Sequence, residues 1–479
     1  AQGSPPPRRP RPQARTMTST MNQPRITFDG RSTFIDALRG IAAFSVACYH
    51  INRYGPLWEP ASRFIPGLLQ FWFDLGWMGV QVFFVISGFV IAYSVRNARV
   101  TPGFLANYAL RRSIRLDPPY WTTILFVLFV HAVMYLHLGF ESPLDVPTKL
   151  EPGLSWNLVA SHLLYVQNIL GYDNLSAGFW TLCIEVQFYL LYVTGLGIAQ
   201  RFPARNRRMP ADAGSWGLLG IFGPLALASL FLWNCGFERR ETRKETPNIA
   251  KPATGKAVER APHTDNPSEG EMDSDELEHA QIDEEGPPPV ADKNAKPSTD
   301  LWWNLLVAGP SGDMWITRFF CMFFLGAAAW WTLDGRIPKL VFWLYVAAFA
   351  GRILLEMYWV HRAHSERWGN NLTMALTAAL LAGVSTYTAG LLGKLGTWLN
   401  WRVLQYLGKI SYSLYLIHFP MSHVITILGA WMLGDEPSPA AATAWQVLAL
   451  VFSLMAAHTI YTFVEAPSVC LAARLKRNT

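Results

Sequence analysis

The chain has 479 residues, of which 51% are hydrophobic and only 15% are charged, with a net charge of +6 and a mean hydropathy of +0.17. This composition excludes an ordinary soluble protein of the same length. No aromatic-interleaved basic patch accompanies the positive charge, so we expect lipid headgroups as its partners and no nucleic acid.

Apolar runs recur along the chain, each near the ~20 residues that cross ~30 Å of hydrocarbon as a helix. They predict an all-α, polytopic transmembrane helical bundle of about ten spans. The predicted spans are 34–51, 75–95, 119–139, 179–200, 216–235, 314–333, 339–356, 371–391, 410–430 and 442–463. Arginine-rich connections fall on one side of this arrangement together with both termini, so the positive-inside rule makes that side the cytoplasm. We expect a multi-pass protein of the plasma membrane.

Residues 1–30 are rich in proline and arginine and contain no apolar core. They predict a disordered extension rather than a secretory signal peptide. The first part of the membrane domain then covers 31–236, and its first span serves as an uncleaved signal-anchor.

The first span, FIDALRGIAAFSVACYH, contains Arg39 and His50. An eleven-residue separation at ~100° per residue places both side chains on one helical face, ~16 Å apart along the axis, lining one interior channel. Arg39, near the cytoplasmic surface, can grip phosphate, and His50 lies deeper, toward the outer half. The alternative is a snorkelling arginine with a hydrogen-bonded core histidine.

A second cluster lies in NYALRRSIRLDPPYW, where Arg112 and Arg115 precede a predicted span. Three residues apart, they face the same way on a helix and can clamp a phosphorylated donor from the cytosol. The cluster is also compatible with a plain topology signal.

Residues 155–170 are apolar enough to enter the membrane, but a full crossing would place later arginine-rich loops outside. We therefore predict a re-entrant or interfacial segment. In the following span, FWTLCIEVQFYLLY, Glu185 lies about two turns inside and needs a partner such as a histidine or an arginine, or a proton. Structural pairing and catalysis both remain open for it.

Residues 237–300 have almost no aromatic or branched apolar residues, which predicts a disordered, acidic, non-cytoplasmic insertion. The membrane domain resumes over 301–470 and ends in a basic tail, 471–479. In YLGKISYSLYLIHFP, His418 lies within reach of Tyr415 and on the face of Ser411, where a core histidine is the simpler interpretation. Glu465, near the end of the last span, is interpreted as mainly structural.

Together these stretches resemble acyltransferase family 3, the integral-membrane O-acyltransferases that include sugar O-acetyltransferases of bacterial surface polysaccharides. The matching stretches are FIDALRGIAAFSVACYH, GWMGVQVFFVISGFVIAYS, RRSIR, FWTLCIEVQFYLLY, LGKISYSLYLIHFP and YTFVEAP. They follow the family order from roughly residue 31 to residue 470.

The resemblance implies an acyl-CoA co-substrate, usually acetyl-CoA, used from the cytoplasm, and transfer to a hydroxyl of a saccharide, a glycolipid or another acceptor. It implies donor-site or catalytic roles for Arg39 and His50, donor binding by Arg112 and Arg115, and an active-site role for Glu185. We expect His50 to act as general base, oriented by Glu185, with His418, Tyr415 and Ser411 in support. Neither a bound cofactor nor a metal site is expected.

A covalent acyl-enzyme is less favoured, because no serine or cysteine lies in a recognisable nucleophile motif. Ser87 and Cys183 lie inside matched stretches and stay open as nucleophiles. The alternative from another class is a proton-coupled transporter in which Arg39, His50 and Glu185 form a relay. A non-catalytic scaffold is a third possibility, but it leaves the repeated intramembrane polar groups without a purpose.

Overall fold

The computed structural model describes residues 32–133, 156–172, 174–201, 213–232, 316–363, 366–434 and 436–477. Within these ranges the regular structure is helical throughout, with no β-strand. The predicted extension 1–30, the insertion 237–300 and the end of the tail lie outside the described residues. The cytoplasmic location of the termini stays a prediction.

The first half of the described chain contains nine helices. They are α1 (Thr33–Tyr54), α2 (Trp58–Ser62), α3 (Gly67–Asp74), α4 (Gly79–Ser94), α5 (Pro102–His131), α6 (Trp156–Leu163), α7 (Gln167–Leu170), α8 (Phe179–Ala199) and α9 (Ala213–Leu232). A 3₁₀ turn, Gly76–Met78, joins α3 to α4.

The second half contains α10 (Ile316–Leu333), α11 (Lys339–Ala363), α12 (Glu366–Leu391), α13 (Arg402–Leu433), α14 (Pro439–Ile460) and α15 (Ala466–Arg477). A π-helical segment, Tyr461–Glu465, connects α14 to α15. Polar caps set several of these starts, since the side chains of Ser32, Thr101 and Ser438 each accept a bond from a backbone N–H three residues later.

Eight stretches of the described chain are long and apolar enough to cross a membrane. They are Thr33–Tyr54, Gly67–Ser94, Phe179–Ala199, Ile316–Leu333, Lys339–Tyr358, Leu372–Leu391, Arg402–Leu433 and Pro439–Leu475. The two other predicted spans are helical as far as the structure describes them, 119–139 up to His131 in α5 and 216–235 up to Leu232 in α9. α5 carries the arginine cluster in its first half, and α9 contains a shorter apolar stretch, Trp216–Phe231. The predicted polytopic, all-α membrane protein is confirmed.

The segment predicted not to cross the membrane forms two short helices. α6 has 8 residues and α7 has 4, far below the ~20 needed for a crossing. The chain breaks between them at Tyr165, which has a φ of 57°. The Tyr165 hydroxyl donates to Asp117 at 3.0 Å, which ties this segment to α5 two residues after Arg115.

α1 crosses α13 at a point where neither helix has room for a side chain. A Cβ on Gly408 would lie 2.1 Å from the Asp36 carbonyl oxygen, and a Cβ on Gly40 would lie 2.6 Å from the Gly408 nitrogen. Only glycine permits this backbone approach. The crossing brings the face of α1 that carries Arg39 and His50 against α13.

An aromatic core packs on the other side of α4. Phe323 of α10 lies with its ring centroid 4.7 Å from Phe84 of α4 and 4.1 Å from Phe188 of α8. These buried rings fix α4 and α8 relative to each other, because protein interiors pack without voids. The inner faces of α4 and α8 thereby meet α1, α5 and α13 around the cavity described next.

Candidate active site

A cavity lies where α1, α4, α5, α8, α13 and the π-helical segment meet. Its ionisable lining residues are Arg39, Arg112, Arg115, Glu185 and Glu465. Ser411 and Tyr415 of α13 also line it. The fold therefore gathers six residues that the sequence analysis selected on four separate helices: Arg39, Arg112, Arg115, Glu185, Ser411 and Tyr415.

The three arginines give the cavity an excess of positive charge. Arg115 lies within electrostatic range of both Arg112 and Arg39. In the described part of the chain, none of the three forms an ion pair with a carboxylate within 4.0 Å. A partly buried cation without a partner is costly, so this arrangement suits an anionic ligand that enters the cavity.

Arg112 is held by an aromatic ring rather than by an acid. Its guanidinium carbon lies 3.6 Å above the centroid of the Tyr189 ring, a cation–π distance. The Nε atom of Arg112 is buried and has no hydrogen-bond partner among the described residues. The fork of Arg112 is thus fixed in direction while part of its donor capacity is unused.

Glu185 is satisfied by hydroxyl groups. Its Oε1 accepts a bond from the Ser87 hydroxyl at 2.7 Å and another, short one from the Tyr189 hydroxyl. The sequence predicts that Glu185 is paired, for instance with a histidine or an arginine, or is neutral. Among the described residues neither a histidine nor an arginine bonds to it, so the orienting contact with His50 is not present, while a neutral Glu185 stays a prediction. At this depth α8 meets α4 and faces the serine of VISGF instead of α1.

Tyr189 contacts both Glu185 and Arg112. One side chain supplies the ring under Arg112 and the hydroxyl on Glu185. Glu185 and Tyr189 lie four residues apart on α8, so they share one helical face. The geometry therefore makes Glu185 a support for the arginine cluster.

Glu465 is a cavity residue that the sequence analysis treated as structural. Its Oε2 accepts a bond from the Ser413 hydroxyl at 2.6 Å, and Arg39 and Arg115 both lie within electrostatic range. It ends the π-helical segment, whose wider turn changes which face of the helix a residue occupies. In the sequence, the indication that Glu465 could be a site residue was its position directly after an apolar span.

The two histidines lie outside this cavity and contact each other. His50 Nδ1 of α1 lies 3.0 Å from His418 Nε2 of α13. His418 is fully buried, whereas His50 is partly exposed at the end of α1 that also carries Tyr54. Arg39 and His50 do share the face toward α13, but the predicted single channel is wrong, since the cavity reaches only Arg39.

Tyr415 lies between the cavity and the histidine pair. Its hydroxyl is 2.8 Å from the Thr181 hydroxyl, and its ring centroid is 5.4 Å from that of Phe83 on the cavity wall. On its other side the ring centroid lies 6.0 Å from His418. One aromatic side chain thus separates the arginine-rich space from the histidines.

A second cavity opens on the opposite side of the arginine cluster. Its basic lining residues are Arg96, Arg111, Arg112 and Arg115, and the remainder comes from the start of α5, the loop before it and α15. Arg112 and Arg115 belong to both cavities. The two spaces therefore meet at the R-x-x-R pair. Across the described ranges, no group of three or more potential metal ligands occurs.

Comparison with known proteins connects this arrangement to a family. Residues 32–242 match the family model described as an acyltransferase domain. The chain is 28% identical over 180 residues to O-acetyltransferase OatA of Staphylococcus aureus, a match covering 36% of this chain and 26% of that protein. It is 29% identical over 177 residues to acyltransferase MdmB of Streptomyces mycarofaciens, covering 36% of this chain and 41% of the relative.

A longer but weaker similarity covers most of the chain. The putative peptidoglycan O-acetyltransferase YrhL of Bacillus subtilis is 22% identical over 445 residues, which is 90% of this chain and 54% of that protein. The chain thus spans about a quarter of the length of the first curated relatives it matches, 26%. No solved structure matches it.

Proposed function

We propose that this chain, whose residues 32–242 match the acyltransferase family model, is a member of acyltransferase family 3 and transfers an acyl group from acyl-CoA to a hydroxyl group at the membrane. The acetyl group is the expected cargo, in line with the relatives named as O-acetyltransferases. In the reaction the acceptor oxygen attacks the thioester carbonyl carbon and the carbon–sulfur bond breaks. The hydroxyl proton finally resides on the coenzyme A thiol, so that an ester and a thiol replace an alcohol and a thioester.

The observation that carries this proposal is the set of arginines at the junction of two cavities, none of which forms an ion pair within 4.0 Å among the described residues. Coenzyme A is a polyanion with a long, thin, uncharged arm. The second cavity, with its four arginines, suits the phosphates of coenzyme A. Arg112 and Arg115 lie where the uncharged arm would enter the first cavity. Forked guanidinium groups bind phosphate with two parallel bonds, which a purely topological cluster does not need.

The first cavity, which also contains Arg39 and Glu185, suits the acyl-bearing end of the donor. Its walls combine apolar side chains such as Val80 and Phe84 with the hydroxyls of Ser411 and Thr181. It ends at Tyr415, next to the histidine pair. We propose that movement of the Tyr415 ring brings the thioester to His50, which accepts the proton of the acceptor hydroxyl as general base.

The acceptor approaches from the side on which His50 is exposed. With the N-terminus in the cytoplasm, that side is the outer half of the plasma membrane. A saccharide or glycolipid acceptor is supported by the similarity to the Bacillus relative, a putative peptidoglycan O-acetyltransferase. Membrane lipid surrounds the exposed apolar helix faces, and the chain's own groups need no further cofactor for acyl transfer.

The transporter alternative requires a continuous proton relay through Arg39, His50 and Glu185. Glu185 instead bonds to Ser87 and Tyr189, and His50 bonds to His418. The observed contacts leave the relay interrupted, which favours the enzyme.

The proposal is tested with purified protein in lipid nanodiscs and acetyl-CoA labelled in the acetyl group. We expect free thiol to appear in proportion to label recovered as ester on an added saccharide or glycolipid, and not in heat-denatured protein. A second reaction with labelled donor but without acceptor controls for simple thioester hydrolysis. Label that crosses the membrane unconsumed in proteoliposomes would instead support transport.

A further inference from the structure

The contact between His50 and His418 restricts where the ring protons lie. Each ring is bonded to the carbonyl one turn earlier on its own helix and to the other histidine across the helix crossing. A carbonyl oxygen accepts hydrogen bonds and never donates them. The protonated nitrogen of each neutral ring can therefore be read from its partners.

The protonated ring nitrogen of His418 follows from its backbone partner. Its Nδ1 lies 3.0 Å from the Leu414 carbonyl oxygen, so Nδ1 carries the proton. In a neutral imidazole the other nitrogen then has a free lone pair. Because the side chain is fully buried, its Nε2 has no competing solvent and presents that lone pair to His50.

His50 faces acceptors on both sides of its Nδ1. The Val46 carbonyl oxygen lies at 3.0 Å, and the lone pair of His418 Nε2 also lies at 3.0 Å. Both contacts require a proton on Nδ1 of His50, which leaves the lone pair on its Nε2. The rings of Tyr49, Tyr54 and Phe419 surround the imidazole at centroid distances of 5.2, 5.5 and 5.4 Å and limit its rotation.

We infer that His418 is a positioning residue, which fixes His50 in the tautomer whose Nε2 acts as the base. This inference rests on the proposed function for its catalytic meaning, although the tautomer itself does not. When Nε2 takes the hydroxyl proton, the imidazolium keeps its Nδ1–H on the lone pair of His418. His418 thus stabilises the charged ring without exchanging a proton, as the third member of a catalytic triad does.

The first test compares two substitutions at the same site. His418→Leu keeps the bulk of the side chain but removes the acceptor, so we expect kcat to fall about ten- to a hundredfold with an unchanged KM for acyl-CoA, the range for a hydrogen bond to a charged group. His418→Gln offers a carbonyl oxygen to His50 and should recover most of that loss. His458→Leu on α14, whose ring instead lies 3.0 Å from the Tyr406 hydroxyl, is the control and should leave kcat unchanged.

The second test needs no turnover and so fails independently of the proposed function. Nitrogen-15 chemical shifts of His50 in nanodiscs distinguish a protonated from an unprotonated ring nitrogen, with His50→Gln providing the assignment. We expect a protonated Nδ1 and a bare Nε2 in the wild type. In His418→Leu only the Val46 carbonyl oxygen still favours the Nδ1–H form, so we expect a measurable share of the Nε2–H form to appear beside it. A wild-type His50 protonated on Nε2, or a tautomer unaffected by His418→Leu, would overturn the inference. Equal loss of kcat in the Leu and Gln variants without a tautomer change would assign His418 to packing.

Discussion

The arginine-lined cavity and the histidine pair both include residues of α1 and α13, yet they satisfy their polar groups in opposite ways. In the cavity, Arg39, Arg112 and Arg115 have no carboxylate partner within the described residues. In the histidine pair, each Nδ1 already has a carbonyl acceptor and the rings bond to each other. The cavity thus needs a ligand to complete it, whereas the pair is organised before any ligand arrives.

On the proposed function, donor binding and proton transfer therefore take place at different positions along α1. A site whose three arginines outnumber its two carboxylates gains free energy when an anion enters. A site that is already hydrogen-bonded loses none to reorganisation during the reaction. Substitutions in the two regions should therefore change different kinetic constants. The cavity should govern KM for the donor, and the pair should govern kcat.

The largest effect is expected at the base. His50→Gln retains some hydrogen bonding but cannot accept the proton, so we expect kcat to fall by about 10²–10⁴-fold while donor affinity is kept. Steady-state kinetics on protein that elutes as a single species measures this. Near-normal turnover would make His50 a core histidine and move the base role elsewhere.

The cavity provides the reciprocal result. Arg115→Ala removes one charge-assisted contact worth about 1.5–3 kcal/mol, which should raise KM for acyl-CoA about ten- to a hundredfold. Arg115→Lys should recover only part of the lost donor affinity, because lysine supplies the charge without the two-pronged guanidinium group. Arg63→Ala is the control, since Arg63 pairs with Glu59 in an exposed i, i+4 contact far along the chain from the cavity. An unchanged KM in Arg115→Ala would reduce the cluster to a topology signal.

The helix crossing that supports both regions can be disturbed on its own. Gly408→Ala places a methyl group 2.1 Å from the Asp36 carbonyl oxygen, so α1 and α13 must separate. Overpacking of this kind costs about 1–3 kcal/mol and should lower the thermal unfolding temperature and kcat together. Gly351→Ala is the matched helical control, because nothing lies within 4 Å of its added Cβ. Equal stability of the two variants would refute the tight crossing.

The smallest effect concerns Tyr189, whose ring and hydroxyl have separate partners. Tyr189→Phe keeps the ring below Arg112 and loses the hydroxyl contacts with Glu185 and Ser87, so KM for acyl-CoA should rise less than about tenfold. Tyr189→Leu also removes the cation–π contact, worth about 0.5–2 kcal/mol, and should raise KM further. If the two variants behave alike, the ring does not position Arg112.

The sequence predicted the spans well because hydrophobic length is a local property. It also selected the arginines and Glu185, since a charged residue inside an apolar run is conspicuous. Helical spacing gave the face of α1 correctly, which is why Arg39 and His50 both point toward α13. It could not say how far a cavity would extend along that face.

Contacts between helices far apart in the chain were beyond the sequence analysis. For Glu185 the sequence leaves a charged partner and a neutral carboxyl both open, because which helix faces α8 depends on the aromatic core around Phe323. The same holds for His50 and His418, which lie 368 residues apart. The place of Glu465 in the cavity was missed because it depends on a π-helical turn. No residue pattern in YTFVE predicts such a turn.

The central claim is that donor binding lies in the arginine-lined cavities and the chemistry at the histidine pair. It is tested most directly by measuring the Kd of unreactive coenzyme A for wild-type protein, Arg115→Ala and His50→Gln by calorimetry in nanodiscs. We expect Arg115→Ala to weaken binding about tenfold or more and His50→Gln to bind like the wild type. Undiminished binding by Arg115→Ala, or lost binding in correctly folded His50→Gln, would contradict the separation of the two regions.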